Sequence, residues 1–188
     1  MTTAAPSPST PTRVAVLVGS LRAESVNRRI AESLRDQAPS GVEVQIVDGL
    51  AALPFYNEDI DGDAAPAPAV ELRSAVAGAD RVLVVTPEYN GTMPAVLNNA
   101  IDWLSRPFGQ GAISGKPFAV IGATPTPYGG KWAHEDARRS AGIAGAVVLD
   151  QVVVSQSTID TDVLGDPQVF GRLRDALGAL VDHQVEAA

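Results

Sequence analysis

Five short runs rich in β-branched and apolar residues punctuate the chain: RVAVLVG (13 to 19), VEVQIVD (42 to 48), RVLVVT (81 to 86), KPFAVIGAT (116 to 124) and AVVLDQVVV (146 to 154). Each has strand length, and helical spacing fills the stretches between them. Val26, Ile30 and Leu34 recur at four-residue intervals, Val70 and Ala77 with their neighbours give a second helical stretch, and Leu97, Ile101 and Leu104 give a third. A last helix is expected to open at GDPQVF, where Asp166 caps the free amides and Pro167 takes the first helical position. It places Phe170, Leu173, Leu177 and Leu180 on one face to cover the sheet. This alternation predicts an α/β fold around a five-stranded parallel sheet. Three runs are apolar almost throughout, as strands covered on both faces must be, whereas VEVQIVD alternates and is expected at an edge.

Open parallel sheets bind ligands outside the carboxyl ends of their strands, which singles out three loops: 19 to 27, 86 to 94 and 123 to 131. The first, within GSLRAESVNRRI, has Gly19 for a tight turn, Ser20 and Ser25 hydroxyls, the Asn27 amide and the Arg22 fork. With the free amides of the following helix they form a phosphate cradle. The plainer alternative makes Ser25 a helix cap and Arg22 a solvated side chain. Neither G-x-G-x-x-G nor a P-loop is present, so a monophosphate fits better than a dinucleotide or a nucleoside triphosphate. In the second loop, Thr86-Pro87 ends the strand sharply, Gly91 bends freely and Pro94 restarts a helix in its first turn. Glu88, Tyr89 and Asn90 between them are expected to form a rigid wall of unpaired backbone groups for a flat heteroaromatic ring. Singly, they also fit a solvated carboxylate, a packing residue and a turn former.

At 188 residues the chain fits one domain, expected over 13 to 186, after a disordered tail at 1 to 12 without signal-peptide character. It has no cysteine, so redox chemistry requires a bound cofactor. Fourteen Lys and Arg against 22 Asp and Glu give a net charge of −8, which argues against nucleic acid or anionic membrane as partner. No apolar run approaches the roughly 20 residues of a membrane span, and the expected location is cytoplasmic.

GSLRAESVNRRIA and TPEYNGTMPAVLNNAIDWLSRP resemble the signatures of the NADPH-dependent FMN reductase family, which includes quinone, azo-dye and chromate reductases. The likeness spans Arg13 to about Val154. It implies a flavodoxin-like, three-layer, doubly wound fold with strand order 2-1-3-4-5, and FMN at the strand ends. It further implies that Ser20, Arg22, Ser25 and Asn27 hold the FMN phosphate, and that Pro87, Glu88, Tyr89, Asn90 and Gly91 line the isoalloxazine. Thr124, Gly129 and Gly130 then lie beside the ribityl chain or ring. Trp132 stands where the family often has Arg. NAD(P)H is the implied co-substrate, a small-molecule electron acceptor the second substrate, and a homodimer or homotetramer the implied assembly.

The mechanism so implied is ping-pong: hydride passes from NAD(P)H to FMN N5 and then to a quinone, flavin, azo compound or metal oxyanion. It assigns no catalytic side chain and no metal. Amides from Glu88 to Asn90 are expected at O4 or N5, and Arg106, Lys131, Arg138 and Arg139 are candidates for the nucleotide's phosphates. His134, in the first turn of a helix, and His183, at the end of the last, are read as structural; the pairs Glu58/Asp59 and Glu135/Asp136 as solvated. Phe55, Tyr56, Trp103, Pro107 and Phe108 form two aromatic clusters, either core or subunit interface. The alternative function is a flavodoxin-type FMN electron carrier without useful NAD(P)H turnover. Arg22 in the phosphate loop and Tyr89 alone in the ring loop favour the enzyme.

Overall fold

The computed structural model describes residues 10 to 184. Its elements run β1 (Thr12–Val18), α1 (Val26–Asp36), β2 (Val42–Val47), α2 (Ala67–Ala77), β3 (Arg81–Val85), α3 (Ala95–Leu104), β4 (Pro117–Thr124), α4 (Lys131–Ile143), β5 (Val147–Ser157) and α5 (Pro167–Asp182). The strands form one parallel sheet in the order β2-β1-β3-β4-β5. The alternating run is indeed an edge, and the chain folds as a flavodoxin-like three-layer sandwich.

Period-two alternation divides β3 between two cores. Val82 and Val84 join Leu72, Val76, Leu97, Ile101 and Trp103 on the face covered by α2, α3 and α4. Leu83 and Val85 join Ile30, Leu34, Phe170, Leu173, Leu177 and Leu180 under α1 and α5. α5 starts as expected: the Asp166 carboxylate accepts from the amides of Gln168 and Val169 at 2.8 and 3.2 Å, and Pro167 is its first residue.

Four expectations shift. Thr12, assigned to the tail, already lies in β1, its N–H bonded to Gly41 O at 2.8 Å; residues 1 to 9 lie outside the described part. In α2 the buried face is Ala69, Leu72 and Val76, while Val70 and Ala77 are exposed; Leu72, the largest apolar side chain of this helix, sets its rotation. Pro94 caps α3 from outside, with extended ψ, and is not within its first turn. β5 runs three residues beyond Val154, because its pairing with β4 resumes after an irregularity between Phe118 and Val120 and continues to Ser157.

The connector before α2 is fastened. Asp61 makes a two-point ion pair with Arg73, at 2.6 and 2.9 Å, and Arg73 Nε donates to Trp103 O at 2.9 Å. Arg73 holds the Asp61 carboxyl down at about 2. The Trp103 indole donates to Pro54 O at 2.9 Å, and Tyr56 meets the Trp103 ring edge-on at 5.0 Å. Among the described residues no helix is long and apolar enough to cross a membrane.

Candidate functional site

The tips of β1, β3 and β4 bring the three loops to one rim of the sheet. β1 leads into α1, whose N-cap is Ser25, buried, its hydroxyl accepting from Arg28 N–H at 3.2 Å. Among the described residues, the amides from Ser20 to Asn27 find no acceptor in the turns and loops, so the helix end presents a row of free donors. Ser20 is half-buried, and Arg22 is exposed and points into solvent-accessible space at the loop's edge. One turn on, Arg28 is already committed, to Glu32 at 2.9 Å and Asp48 at 2.7 Å.

Asn27, expected at the phosphate, is buried and has other work. Its Nδ2 donates to Ala123 O at 2.8 Å and its Oδ1 accepts from Ala123 N–H at 2.9 Å. Its side chain therefore ties α1 to β4, leaving its backbone N–H and one amide hydrogen for any anion.

The loop after β3 is more fully paired than its sequence indicates. Glu88 N–H donates to Thr124 Oγ1 at 3.0 Å. Tyr89 and Thr92 exchange two backbone hydrogen bonds of 3.1 Å, closing a tight turn with Asn90 at φ 53° and Gly91 at φ 75°. Both central residues are left-handed, which Asn tolerates and Gly adopts freely. The wall of free amides from Glu88 to Asn90 thus narrows to Asn90, because the other two N–H groups are used within the protein. Pro87 is buried, Glu88 half-buried, and Tyr89, Asn90 and Gly91 are exposed.

The Glu88 carboxylate accepts from the amides of Trp132 and Ala133 at 3.0 and 3.2 Å. α4 has Gly130 as N-cap, with no side chain to satisfy its first amides, and Glu88 supplies the missing acceptor from another loop. Thr124 is buried and receives Glu88 N–H. Gly129 and Gly130, at φ 63° and 94°, press against β5 and Thr124: a Cβ on Gly129 would lie 2.5 Å from Ser155 backbone, and one on Gly130 2.9 Å from Thr124 Oγ1. Thr124 thus holds the loop after β3, while Gly129 and Gly130 let the loop after β4 pass close to β5 and Thr124.

That cleft, of about 410 Å³, lies between Gly19, Leu21 and Arg22 on one side and Tyr89, Pro94, Ala95 and Val96 on the other. Sequence reasoning missed Leu21 and the Pro94–Val96 wall. For Ala95 and Val96 the signal was available, since they open α3 directly after the loop. A second cleft of about 400 Å³, between Ser20 to Ala23 and Asp48 to Ala51, lies on the far side of the same loop.

His134 is fully buried. Its Nε2 lies 3.0 Å from Thr86 O and its Nδ1 2.7 Å from Ser155 Oγ. A carbonyl only accepts, so Nε2 carries the proton and Nδ1 accepts from the serine hydroxyl. Burial, with the nearby Arg138 charge adding to it, lowers its pKa to about 4 and keeps it neutral. His183, beyond α5, offers its carbonyl to Arg81 at 2.9 Å.

None of the four cations proposed for nucleotide phosphates lines the cleft. Arg106 lies 5.3 Å over the Tyr56 ring, Lys131 is 3.8 Å from Glu135, Arg138 is 3.8 Å from Asp150, and Arg139 pairs with Asp136. Trp103 is core, whereas Phe55 and Phe108 are exposed. Trp132 stacks obliquely on Tyr128 at 4.6 Å, so an aromatic pair occupies the outer edge of the loop after β4.

Comparison with known proteins agrees with this architecture. The sequence profile described as NADPH-dependent FMN reductase matches residues 12 to 159. A quinone reductase of Pseudomonas putida is 49% identical over 127 residues, 68% of each chain. A 2-hydroxy-1,4-benzoquinone reductase of a Burkholderia species is 42% identical over 139 residues, 74% of this chain and 75% of that one. The solved structure of FerB, a flavoenzyme NAD(P)H:(acceptor) oxidoreductase from Paracoccus denitrificans, superposes with a TM-score of 0.80 at 32% identity, covering 91% of this chain and 96% of that one. On the extent of the profile match and the identity to these relatives, the chain belongs to the NADPH-dependent FMN reductase family.

Proposed function

We propose that the chain is an FMN-dependent NAD(P)H:quinone oxidoreductase whose cofactor lies across the tips of β1 and β3. The observation that carries this reading is the 410 Å³ cleft, lined at one end by Gly19, Leu21 and Arg22 and at the other by Tyr89, Pro94, Ala95 and Val96; the loop that supplies its basic end also holds the unpaired amides from Ser20 to Asn27. A phosphate monoester needs several donors and a cation, and the α1 end offers both. A Cβ on Gly19 would lie 2.1 Å from Thr86 Oγ1; only glycine lets β1 turn this close to β3 and bring the two halves of the cleft together.

Bound FMN supplies the hydride chemistry, accepting from NAD(P)H and giving to the acceptor. This chain's residues do the rest. Ser20, Arg22, Ser25 and the backbone N–H of Asn27 hold the phosphate. Pro87 to Gly91 set the plane of the ring's support, with Asn90 N–H as the free donor at its edge. Pro94, Ala95 and Val96 exclude water from the cleft, which strengthens every polar contact within it. Nicotinamide and acceptor use one opening in turn, which makes the cycle ping-pong. Quinone is the acceptor class favoured, by the activity named for the relatives from Pseudomonas putida and Burkholderia.

The test is spectroscopic. The protein saturated with FMN and freed of excess should be yellow, bleach with NADPH or NADH without oxygen, and recover its colour on addition of a benzoquinone. Retention of FMN without bleaching by either nucleotide would make it an electron carrier; no retention would refute the cleft assignment. Arg22→Ala should raise the FMN dissociation constant about 10- to 150-fold, since a charge-assisted contact contributes about 1.5 to 3 kcal/mol.

A further inference from the structure

The ladder between β3 and β4 stops at the site, and its loose ends are taken by two buried side chains. In a parallel pair, a residue that donates its N–H to one carbonyl accepts from the N–H two residues further along the partner. Thr86 N–H donates to Ile121 O at 3.0 Å, so Thr86 O is due to receive Ala123 N–H. It does not. Ala123 gives its N–H and its carbonyl to the Asn27 side-chain amide, at 2.9 and 2.8 Å. Thr86 O bonds His134 Nε2 at 3.0 Å instead. The Asn27 amide stands where the next peptide of β3 would stand, and β3 itself turns away at Pro87 into the loop that faces the cleft.

We infer that His134 is a positioning residue for the flavin ring: it fixes the exit of β3, and through it Pro87 to Asn90, by clamping the orphaned Thr86 carbonyl to β5 through Ser155. The inference rests on the FMN reading given above. At the strand exit itself the other local bond is Thr86 Oγ1 donating to Pro87 O at 3.0 Å, and the loop's remaining restraints begin at Glu88. Pro87 has no N–H, and the next backbone anchor is Glu88 N–H on Thr124 Oγ1. Its side-chain anchor, Glu88 on the α4 amides, sits on the helix that also carries His134. A Cβ on Gly122 would lie 2.0 Å from Thr86 O, so β4 approaches this carbonyl closely enough to leave it one narrow direction, toward the imidazole. Loss of the donor at Nε2 strands a buried carbonyl, and such a group moves toward water rather than stay unpaired.

The experiment uses FMN-loaded protein and three variants. His134→Phe keeps the ring volume and removes both hydrogen bonds; His134→Gln keeps a donor and an acceptor. For His134→Phe the expected result is a FMN dissociation constant raised about tenfold, with a changed visible circular dichroism and a shifted midpoint potential of the flavin that remains bound. His134→Gln should restore all three to near wild type. A role confined to stability would lower the unfolding temperature of His134→Phe but leave the dichroism and potential of its bound flavin as in wild type, and that result overturns the inference. So does a His134→Gln variant as impaired as His134→Phe. If His134→Phe does not fold, Ser155→Ala decides: it frees only Nδ1, and a dichroism of its bound flavin that differs from wild type supports the clamp, whereas no change refutes it. Wild-type protein that binds no FMN would refute the cofactor reading itself, a separate result from wild type binding and the variants matching it.

Discussion

A buried imidazole and a half-buried, ion-paired carboxylate give this protein two separate windows of acid sensitivity. His134 has its folded pKa lowered to about 4 by burial, below its ordinary 6.5. The unfolded chain therefore takes up a proton there first as pH falls. Stability from His134 is complete above 6.5 and is lost as pH descends toward 4, by roughly 3 kcal/mol in total. Asp61 behaves in the same sense but lower down. Its pair with Arg73 holds it at about 2 against 3.8, so its contribution is present above 3.8 and disappears as pH falls toward 2. Urea titrations of wild-type protein at pH 7, 5.5 and 4.5 should show stability falling at each step, whereas His134→Gln, with nothing to titrate in that range, should fall less between 7 and 4.5. Parallel losses in the two proteins would show that His134 is not the group responsible.

Two helices of the fold begin with acidic caps, and only one of those caps belongs to the site. Asp166 caps α5 from the adjoining residue, as the sequence indicates; Glu88 caps α4 from 44 residues away, at the end of a different strand. Removing either cap should cost about 1 kcal/mol of stability. Asp166→Ala should do only that. Glu88→Ala should also raise the FMN dissociation constant, because the carboxylate ties the ring-facing loop to α4; equal FMN affinity in both variants would show the loop to be held without it. This contrast explains what the sequence discloses at the level of elements. Strand order, the edge position of VEVQIVD and the Asp166–Pro167 helix start are legible, because each depends on residues within a few positions of one another. The commitments of Asn27, Glu88, Thr124 and His134 are not, because their partners are 21 to 96 residues distant. Polar residues in a site loop look alike in sequence whether they face a ligand or satisfy a neighbouring backbone. The buried face of α2 is illegible for a related reason: its apolar residues are spread round the helix, and only packing under β3 selects Ala69, Leu72 and Val76.

At the scale of the whole molecule, charge and site pull in opposite directions. Fourteen basic residues against 22 acidic ones give −8, yet the ligands proposed for the cleft are anions. The two influences differ in range. At 10 mM salt, fields persist over about 30 Å and an approaching phosphate meets the net negative charge; at 150 mM they fade within about 8 Å. Arg22 and the α1 amides act at contact, inside that distance. Association of FMN with the apoprotein should therefore accelerate as salt is raised from 10 to 150 mM, the reverse of ordinary electrostatic steering. Dissociation should accelerate as well, since the Arg22 contact is exposed and partly screened, so the equilibrium constant moves less than either rate. Arg22→Ala should raise the dissociation rate while its association rate keeps the wild-type rise with salt. Stopped-flow fluorescence of FMN at several salt concentrations measures both rates. An association rate that falls with salt would mean that the basic residues around the rim, Arg22 among them, extend an attractive field beyond the protein surface, and that the overall charge of the chain is irrelevant to how its cofactor arrives.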